Sequence, residues 1–243
     1  MKKAKLLISS ILLMASSVAF QSCSSDDNDS WDMYRPTALV TVCPTSDGGF
    51  IMQLDNNTTL YPTNMDKSPY GSKEVRALVN YDEDNLEKSD RKDVHVNWID
   101  SIRTKFPEIY IDETSNDKFG NDPVEIVNDW VTVAEDGYLT MRLRALWGNN
   151  SKPHSFHLVS GKNPEDPFEL ELRHNNNGDI GNNLGDILIA FNLNELPRNG
   201  SDNVKLKIHW KSFQGDKSHE FDLALRHITI DDIKDILPAS MIK

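Results

Sequence analysis

The residues best placed to do chemistry lie in one run, Arg173-His174-Asn175-Asn176-Asn177-Gly178-Asp179-Ile180-Gly181-Asn182-Asn183. Oxygen-bearing side chains at alternate positions around a glycine follow the grammar of a calcium loop, with Asn175, Asn177 and Asp179 as candidate ligands. The pattern lacks the bidentate Glu at the twelfth position, and most of its ligands are neutral amides. The competing reading is a polar hairpin tip, because Asn and Gly accept left-handed backbone; the sequence assigns no metal. His154 and His157 stand three apart. On a helix they could share a metal, but His154-Ser155-Phe156-His157-Leu158-Val159 reads as a strand, where such positions point to opposite faces. There is no HExxH, no cysteine pair, no GxSxG and no phosphate-cradling glycine loop. Carboxylates are plentiful, as in Asp82-Glu83-Asp84, Glu165-Asp166, Glu169 and Glu171. A glycosidase needs two of them held about 5–9.5 Å apart across a sugar, which abundance alone does not establish. Trp31, Trp98, Trp130, Trp147 and Trp210 could stack on sugars, although Trp98 and Trp210 sit in apolar alternations and read as core. No catalytic residue and no cofactor emerges, so the expectation is a protein that is not an enzyme.

The two cysteines carry a different chemistry. Lys2, Lys3 and Lys5 precede an uncharged apolar run, Leu6 to Phe20, the layout of a secretory signal. That run is shorter than the roughly 20 residues of a bilayer span. Small residues, Ser16, Ser17, Ala19 and Ser22, precede Cys23, so residues 1–22 read as a lipoprotein signal peptide and Cys23 as the lipidated first residue of the mature chain. Phe20 and Gln21 depart from the usual Leu and small residue of a lipobox. Several acyl chains on Cys23 would hold firmly where one is marginal, at about 0.8 kcal/mol per buried CH₂. Residues 23–35 carry Asp26, Asp27 and Asp29 and little apolar surface, as expected of an acidic flexible tether. The acidic run is similar to the export signal of some surface lipoproteins. The expected address is the outer membrane, lipid-anchored and surface-exposed. Cys43 then has no partner for a disulfide, and its setting in Leu39-Val40-Thr41-Val42 reads as a buried strand thiol.

Composition narrows the partners. The chain has net charge −12, and loss of residues 1–22 removes three lysines and no acid, leaving −15. Such a surface repels phosphate backbones, so no nucleic-acid partner is expected. Membrane contact should rest on the lipid anchor.

The elements that must position these residues are strands. Ala38–Cys43, Phe50–Leu54 and Thr58–Tyr61 read as a meander with turns at Gly48-Gly49 and Asn56-Asn57. Lys73–Tyr81 and Asp93–Ile99 follow, the latter placing Val94, Val96 and Trp98 against His95 and Asn97. Five short strands suit a small OB-like β-barrel over residues 36–115. The polar stretch Asp112–Asp122 marks the expected boundary. Residues 116–243 repeat the β grammar in Tyr138–Leu146, His154–Val159, Phe168–His174, Ile187–Leu193, Val204–Trp210 and Glu220–Arg226, which suggests an antiparallel β-sandwich. The apolar run Ile187–Leu193 should be central. Pro123–Ala134 has helical spacing at Val124, Val127, Val131 and Ala134 with Asp122 as N-cap, whereas Val131-Thr132-Val133 argues for strand. Asp231–Leu237 could form a short helix. The expected fold class is all-β, barrel then sandwich.

Three stretches, Val96-Asn97-Trp98-Ile99-Asp100-Ser101-Ile102, Asp136-Gly137-Tyr138-Leu139-Thr140 and Leu172-Arg173-His174-Asn175-Asn176-Asn177-Gly178-Asp179, resemble the NigD-like lipoprotein family. The resemblance implies an N-terminal OB-type barrel, a C-terminal β-sandwich, and a link to bacteriocin immunity that rests on gene position. It supplies no catalytic residue. Asp100-Ser101-Ile102 is also similar to a short O-glycosylation motif of exported proteins. The expectation is an envelope-anchored binding module with an unknown protein or glycan ligand. The rivals are a surface glycan-binding or glycan-hydrolysing lipoprotein and a structural accessory of an outer-membrane complex.

Overall fold

The structure is a computed structural model and describes residues 35–84, 92–148, 152–198 and 200–226. The signal peptide, Cys23, all of the tether but its last residue, and the Asp231–Leu237 segment lie outside the described residues.

Five strands close a barrel: β1 (Ala38–Pro44), β2 (Phe50–Gln53), β3 (Thr59–Pro62), β4 (Val75–Glu83) and β5 (Lys92–Ser101), in the order β1-β2-β3-β5-β4. The expected meander holds through β3 and then changes. β3 pairs in parallel with β5, while β4 returns to β1 and so closes the ring. Closure removes the free edges that a five-stranded meander would expose. Alternation fills the interior, with Val40, Val42, Met52, Leu60, Ala77, Val79, Val94 and Val96 all buried there.

The remaining strands form two sheets. One has the order β6-β13-β10-β8, with β9 also paired to β10. Its strands are β6 (Arg103–Lys105), β8 (Glu125–Val127), β9 (Val133–Glu135), β10 (Tyr138–Trp147) and β13 (Asn183–Asn192). The other has the order β15-β14-β12-β11-β7, from β7 (Glu108–Ile109), β11 (Ser155–Ser160), β12 (Glu169–Asn175), β14 (Asn203–Ser212) and β15 (Gly215–Ala224). Leu139, Met141 and Leu143 from the first sheet meet Leu158, Leu172 and Ile208 from the second in one buried core. The pairing is not purely antiparallel. β6 with β13 and β7 with β11 run parallel because the chain leaving the barrel adds a strand to each sheet in turn, and β12 also runs parallel to β14.

The first strand of the two sheets begins at Arg103. The polar stretch Asp112–Asp122 is a crossing within the sandwich, carrying one short helix, α1 (Ser115–Phe119), whose Phe119 is buried against His157. Residues 123–134 form no helix. β8 and β9 are strands flanking a turn, since both pair with β10 and tertiary pairing overrides the helical spacing.

Two turns show why the sequence folds as it does locally. Asp136 and Gly137 have φ of 49° and 73° between paired Glu135 and Tyr138, the two-residue hairpin that Asp-Gly favours. Asn177 and Gly178 take the same left-handed pair with φ of 52° and 73°, closed by Asp179 N–H donating to Asn176 O at 2.9 Å, in a turn that leads from β12 in one sheet towards β13 in the other.

Candidate functional site

The outer face of the barrel is not solvated where it meets the sandwich. Leu39 and Leu78 pack against Ile102, Tyr138, Ala190, Leu188 and Val133. Into this apolar seam β4 inserts Arg76, whose side chain is 0% exposed. Its Nη1 donates to Thr41 Oγ1 at 3.0 Å and its Nε to Thr140 Oγ1 at 3.4 Å. Its Nη2 pairs with the Glu135 carboxylate on β9. Burial disfavours both charges. It lowers the Arg76 pKa despite the facing carboxylate, and it raises that of Glu135 despite the facing guanidinium.

The seam opens into a cleft of about 590 Å³ lined by Cys43, Asn56, Glu74, Asp136, Asn203 and Arg226, among others. Arg226 organises it. Nε and Nη2 hold both oxygens of Asp136 at 3.0 and 2.6 Å, and Nη1 holds Glu74 Oε2 at 2.7 Å. Burial alone would lower the Arg226 pKa, but these two carboxylates raise it overall. The other Glu74 oxygen accepts from the Tyr138 hydroxyl, which also accepts from Asn192 Nδ2 at 3.1 Å. Asp136 N–H donates to Asn56 Oδ1 of the β2–β3 turn at 2.9 Å, a further tie between the domains. Gly137 is required here: a Cβ would lie 1.9 Å from Asn194 Oδ1.

Potential nucleophiles in the cleft are suppressed. Burial and the Glu74 carboxylate push the Cys43 thiol up to about 12, so it is a thiol and not a thiolate at neutral pH. Cys43 is half-buried rather than fully buried as its strand suggested. Burial and Glu74 also raise the Tyr138 phenol. The cleft offers fixed carboxylates and amides, an arrangement suited to holding a ligand. A neighbouring cleft of about 860 Å³ shares Asn56, Asn203 and Ala224 with it and adds Asp55, Glu135 and Asp222.

The candidate calcium ligands do not converge. Asn175 Oδ1 accepts from Asn177 N–H at 2.8 Å, and Asn177 Nδ2 donates to Pro153 O at 2.5 Å. Asp179 is buried and turned inward, its Oδ2 accepting from Gly148 N–H at 2.7 Å and lying 3.2 Å from His154 Nε2. Among the described residues no group of three His, Cys, Asp or Glu side chains is arranged to hold a metal. The run is a tight turn between the two sheets whose side chains satisfy backbone groups.

Sequence reasoning missed what Asp179 joins. His154 Nδ1 lies 2.9 Å from His174 Nε2, and His174 Nδ1 lies 3.1 Å from Pro123 O. A carbonyl only accepts, so His174 Nδ1 carries the hydrogen. Burial lowers the His174 pKa, and its Nε2 faces the His154 ring. Trp147 stacks on His154 with ring centroids 3.9 Å apart, and Phe156 stacks on His174 at 4.6 Å. His154 and His157 go to separate neighbourhoods, the second facing Glu108 at 2.5 Å. No signal in the sequence links positions 154, 174 and 179.

Glu169 and Glu171 share a groove of about 400 Å³ on the β12–β14 face. Glu169 is engaged by Asn163 and His209, both at distances below 3 Å, which lower its pKa; Glu171 pairs with Lys162 and Arg173. A glycosidase needs one acid that keeps its proton, and Glu169 is biased the other way. Trp210 is half-buried at the sandwich core, whereas Trp130 is exposed. Ser101 lies exposed at the end of β5.

Comparison with known proteins gives consistent matches. Residues 39–102 match the description "NigD-like N-terminal OB domain", and residues 107–223 match "NigD-like C-terminal beta sandwich domain". A search of curated proteins finds no match. Among solved structures, the fold is similar to one from Parabacteroides distasonis described as toxin-related, with TM-score 0.64 and 28% identity over 82% of this chain and 96% of that one. A NigD-like immunity protein from Bacteroides caccae has TM-score 0.55 and 22% identity over 79% and 99%. A Bacteroides fragilis structure described as a lipoprotein has TM-score 0.53 and 14% identity over 79% and 98%.

Proposed function

This chain belongs to the NigD-like family through both of its domains, and from that premise we propose that it is a cell-envelope lipoprotein acting as a non-enzymatic binding module, in the manner of a bacteriocin-immunity protein. The observation that carries the reading is the welded cleft between barrel and sandwich. Arg226, Asp136 and Glu74 fix its floor, and Arg76 with Glu135 fixes the two domains behind it. A preorganised cleft loses little entropy on binding. The groups that could attack a substrate there, Cys43 and Tyr138, are held protonated. Lipidation at Cys23 places this body on the outer membrane, facing outward on its acidic tether. The net charge of −12 favours a basic polypeptide over an anionic ligand.

The test is a deletion strain challenged with bacteriocin-producing neighbours. It should die more readily, and wild-type protein should rescue it, whereas Cys23→Ser and Arg226→Ala should not. Unchanged survival of the deletion strain would overturn the immunity reading. Turnover of any member of a glycan panel by the purified protein would overturn the non-enzymatic one.

A further inference from the structure

We propose that the free edge of β15 binds an extended segment rich in Lys or Arg as an added strand of the sandwich. The inference rests on the reading of this chain as a binding module for a basic polypeptide, and it names where and how such a partner is held. β15 ends its sheet, pairs with β14 over ten residues without a register shift, and is exposed from Gly215 to Glu220. Strands average about 5–6 residues, and edge strands are usually short, bulged or covered. Among the described residues β15 is none of these. Its backbone direction is fixed at its end. Leu225 N–H donates to Asp202 O at 2.7 Å on the β14 side, whereas Ala224 O accepts from Gly137 N–H at 2.9 Å on the other. Successive residues of an antiparallel strand turn their backbone groups to opposite sides. Asp216, Ser218, Glu220 and Asp222 therefore aim theirs outward, as Ala224 does. Among the described residues no backbone group bonds to these four on that side.

Charge selects the occupant. The same four residues stand opposite Lys211, His209, Lys207 and Lys205 of β14, in that order, and Asp222 pairs with Lys205. Each acid of β15 thus has a base beside it on β14 and an open position on its other side. Opposite charges directly across a sheet attract and like charges repel. A strand carrying Lys or Arg at alternate positions therefore completes the ladder, with its main chain bonded to the outward groups of β15. The same rule excludes a second copy of β15. Antiparallel registers centred on Ser218, His219 and Glu220 would set Asp216 against Glu220, Asp216 against Asp222, and Glu220 against itself. The edge also leads to the cleft of about 860 Å³, which Asp222 lines together with Asp55 and Glu135. A segment longer than the strand continues there, between barrel and sandwich, over further carboxylates.

The experiment titrates the end-blocked peptide Lys-Val-Lys-Thr-Lys-Val-Lys into the full-length protein in neutral detergent and follows amide hydrogen exchange. Amides of Asp216, Ser218, Glu220 and Asp222 should exchange at least about tenfold more slowly with the peptide bound. The same peptide N-methylated at alternate residues keeps its charge and loses the donors of one edge, and should bind at least about tenfold more weakly. Ser218→Pro removes one outward N–H and keeps the bonds to β14, and should weaken the unmethylated peptide as much. Should that variant fail to fold, Glu220→Lys with Asp222→Lys should lose the lysine peptide and gain Glu-Val-Glu-Thr-Glu-Val-Glu. Binding without slowed exchange at these four amides, or binding undiminished by methylation and by Ser218→Pro, would overturn strand addition and leave the binding-module reading standing. No binding of the lysine peptide would overturn it too. So would amides already as slow in the unliganded protein as those of β14, the mark of a second copy or of the chain's own ends on this edge. Failure of the deletion-strain test bears on the immunity reading instead.

Discussion

Replacing Glu135 by Leu removes the carboxylate that faces Arg76 and leaves the guanidinium in the seam between the domains. Among the described residues Arg76 then keeps the hydroxyls of Thr41 and Thr140, at 3.0 and 3.4 Å, and the face of the Tyr138 ring, 5.8 Å away. Its side chain is 0% exposed, so water cannot take the place of the lost partner. Breaking a buried ion pair on one side costs about 3–5 kcal/mol. The Glu135 side chain is 24% exposed, so part of its charge was already screened, and the lower end, about 3 kcal/mol, is the expected loss. Removing both charges together, Arg76→Met with Glu135→Leu, should cost only about 1–2 kcal/mol, because an apolar pair fits the surrounding Leu39, Leu78 and Tyr138. The double variant should therefore be more stable than Glu135→Leu alone, which is the signature of coupling in a double-mutant cycle. Urea unfolding followed by tryptophan fluorescence reads this, with Trp98 reporting from the barrel and Trp147 and Trp210 from the sandwich. The wild type should unfold in one transition, and Glu135→Leu should separate barrel from sandwich. A loss below about 1 kcal/mol in Glu135→Leu, or a double variant no better than the sum of the single losses, would refute the claim that this pair welds the domains.

Three further predictions follow the same chemistry. Burial lowers His157 and His174 below their ordinary 6.5, so both are neutral in the fold and take up protons on unfolding. Their contribution is present above pH 6.5 and is lost as pH falls below it, so the urea midpoint should be flat above pH 7 and decline towards pH 5. His174→Gln should flatten part of that decline. Cys43, pushed up to about 12, should react with iodoacetamide at pH 8 at least about 100-fold more slowly in the folded chain than in urea. Gly137→Ala should destabilise the protein by more than about 1 kcal/mol, through a left-handed φ and a Cβ set into Asn194, as read by thermal unfolding.

The strands were legible because alternation reports burial directly. Val94 and Val96 are buried in the barrel and Leu139, Met141 and Leu143 in the sandwich, as their spacing indicates. The Asn177-Gly178 turn was legible because few residue pairs accept two left-handed conformations in succession. Long-range pairing was not legible. Nothing local in Thr58–Tyr61 says that its partner is β5 in parallel, and nothing in Arg103–Lys105 says that it joins β13. The choice between helix and strand over 123–134 stayed open in the sequence because the period of a short segment yields to the pairing its neighbours offer. Arg76 and Glu135 were invisible as a pair for a related reason. Each occupies the face of a strand that would be solvated in an isolated domain, and only the second domain buries it. The histidine–aspartate chain is hidden for the same cause, since His154, His174 and Asp179 meet only when β11, β12 and the turn after β12 assemble.

The measurement that tests the central claim most directly is intact mass spectrometry of the native protein purified from its own membranes. An envelope-tethered binding body requires a mature chain that begins at Cys23 and carries a diacylglycerol thioether on that residue. A chain cut elsewhere, with no fatty acid at its N-terminus, would contradict it.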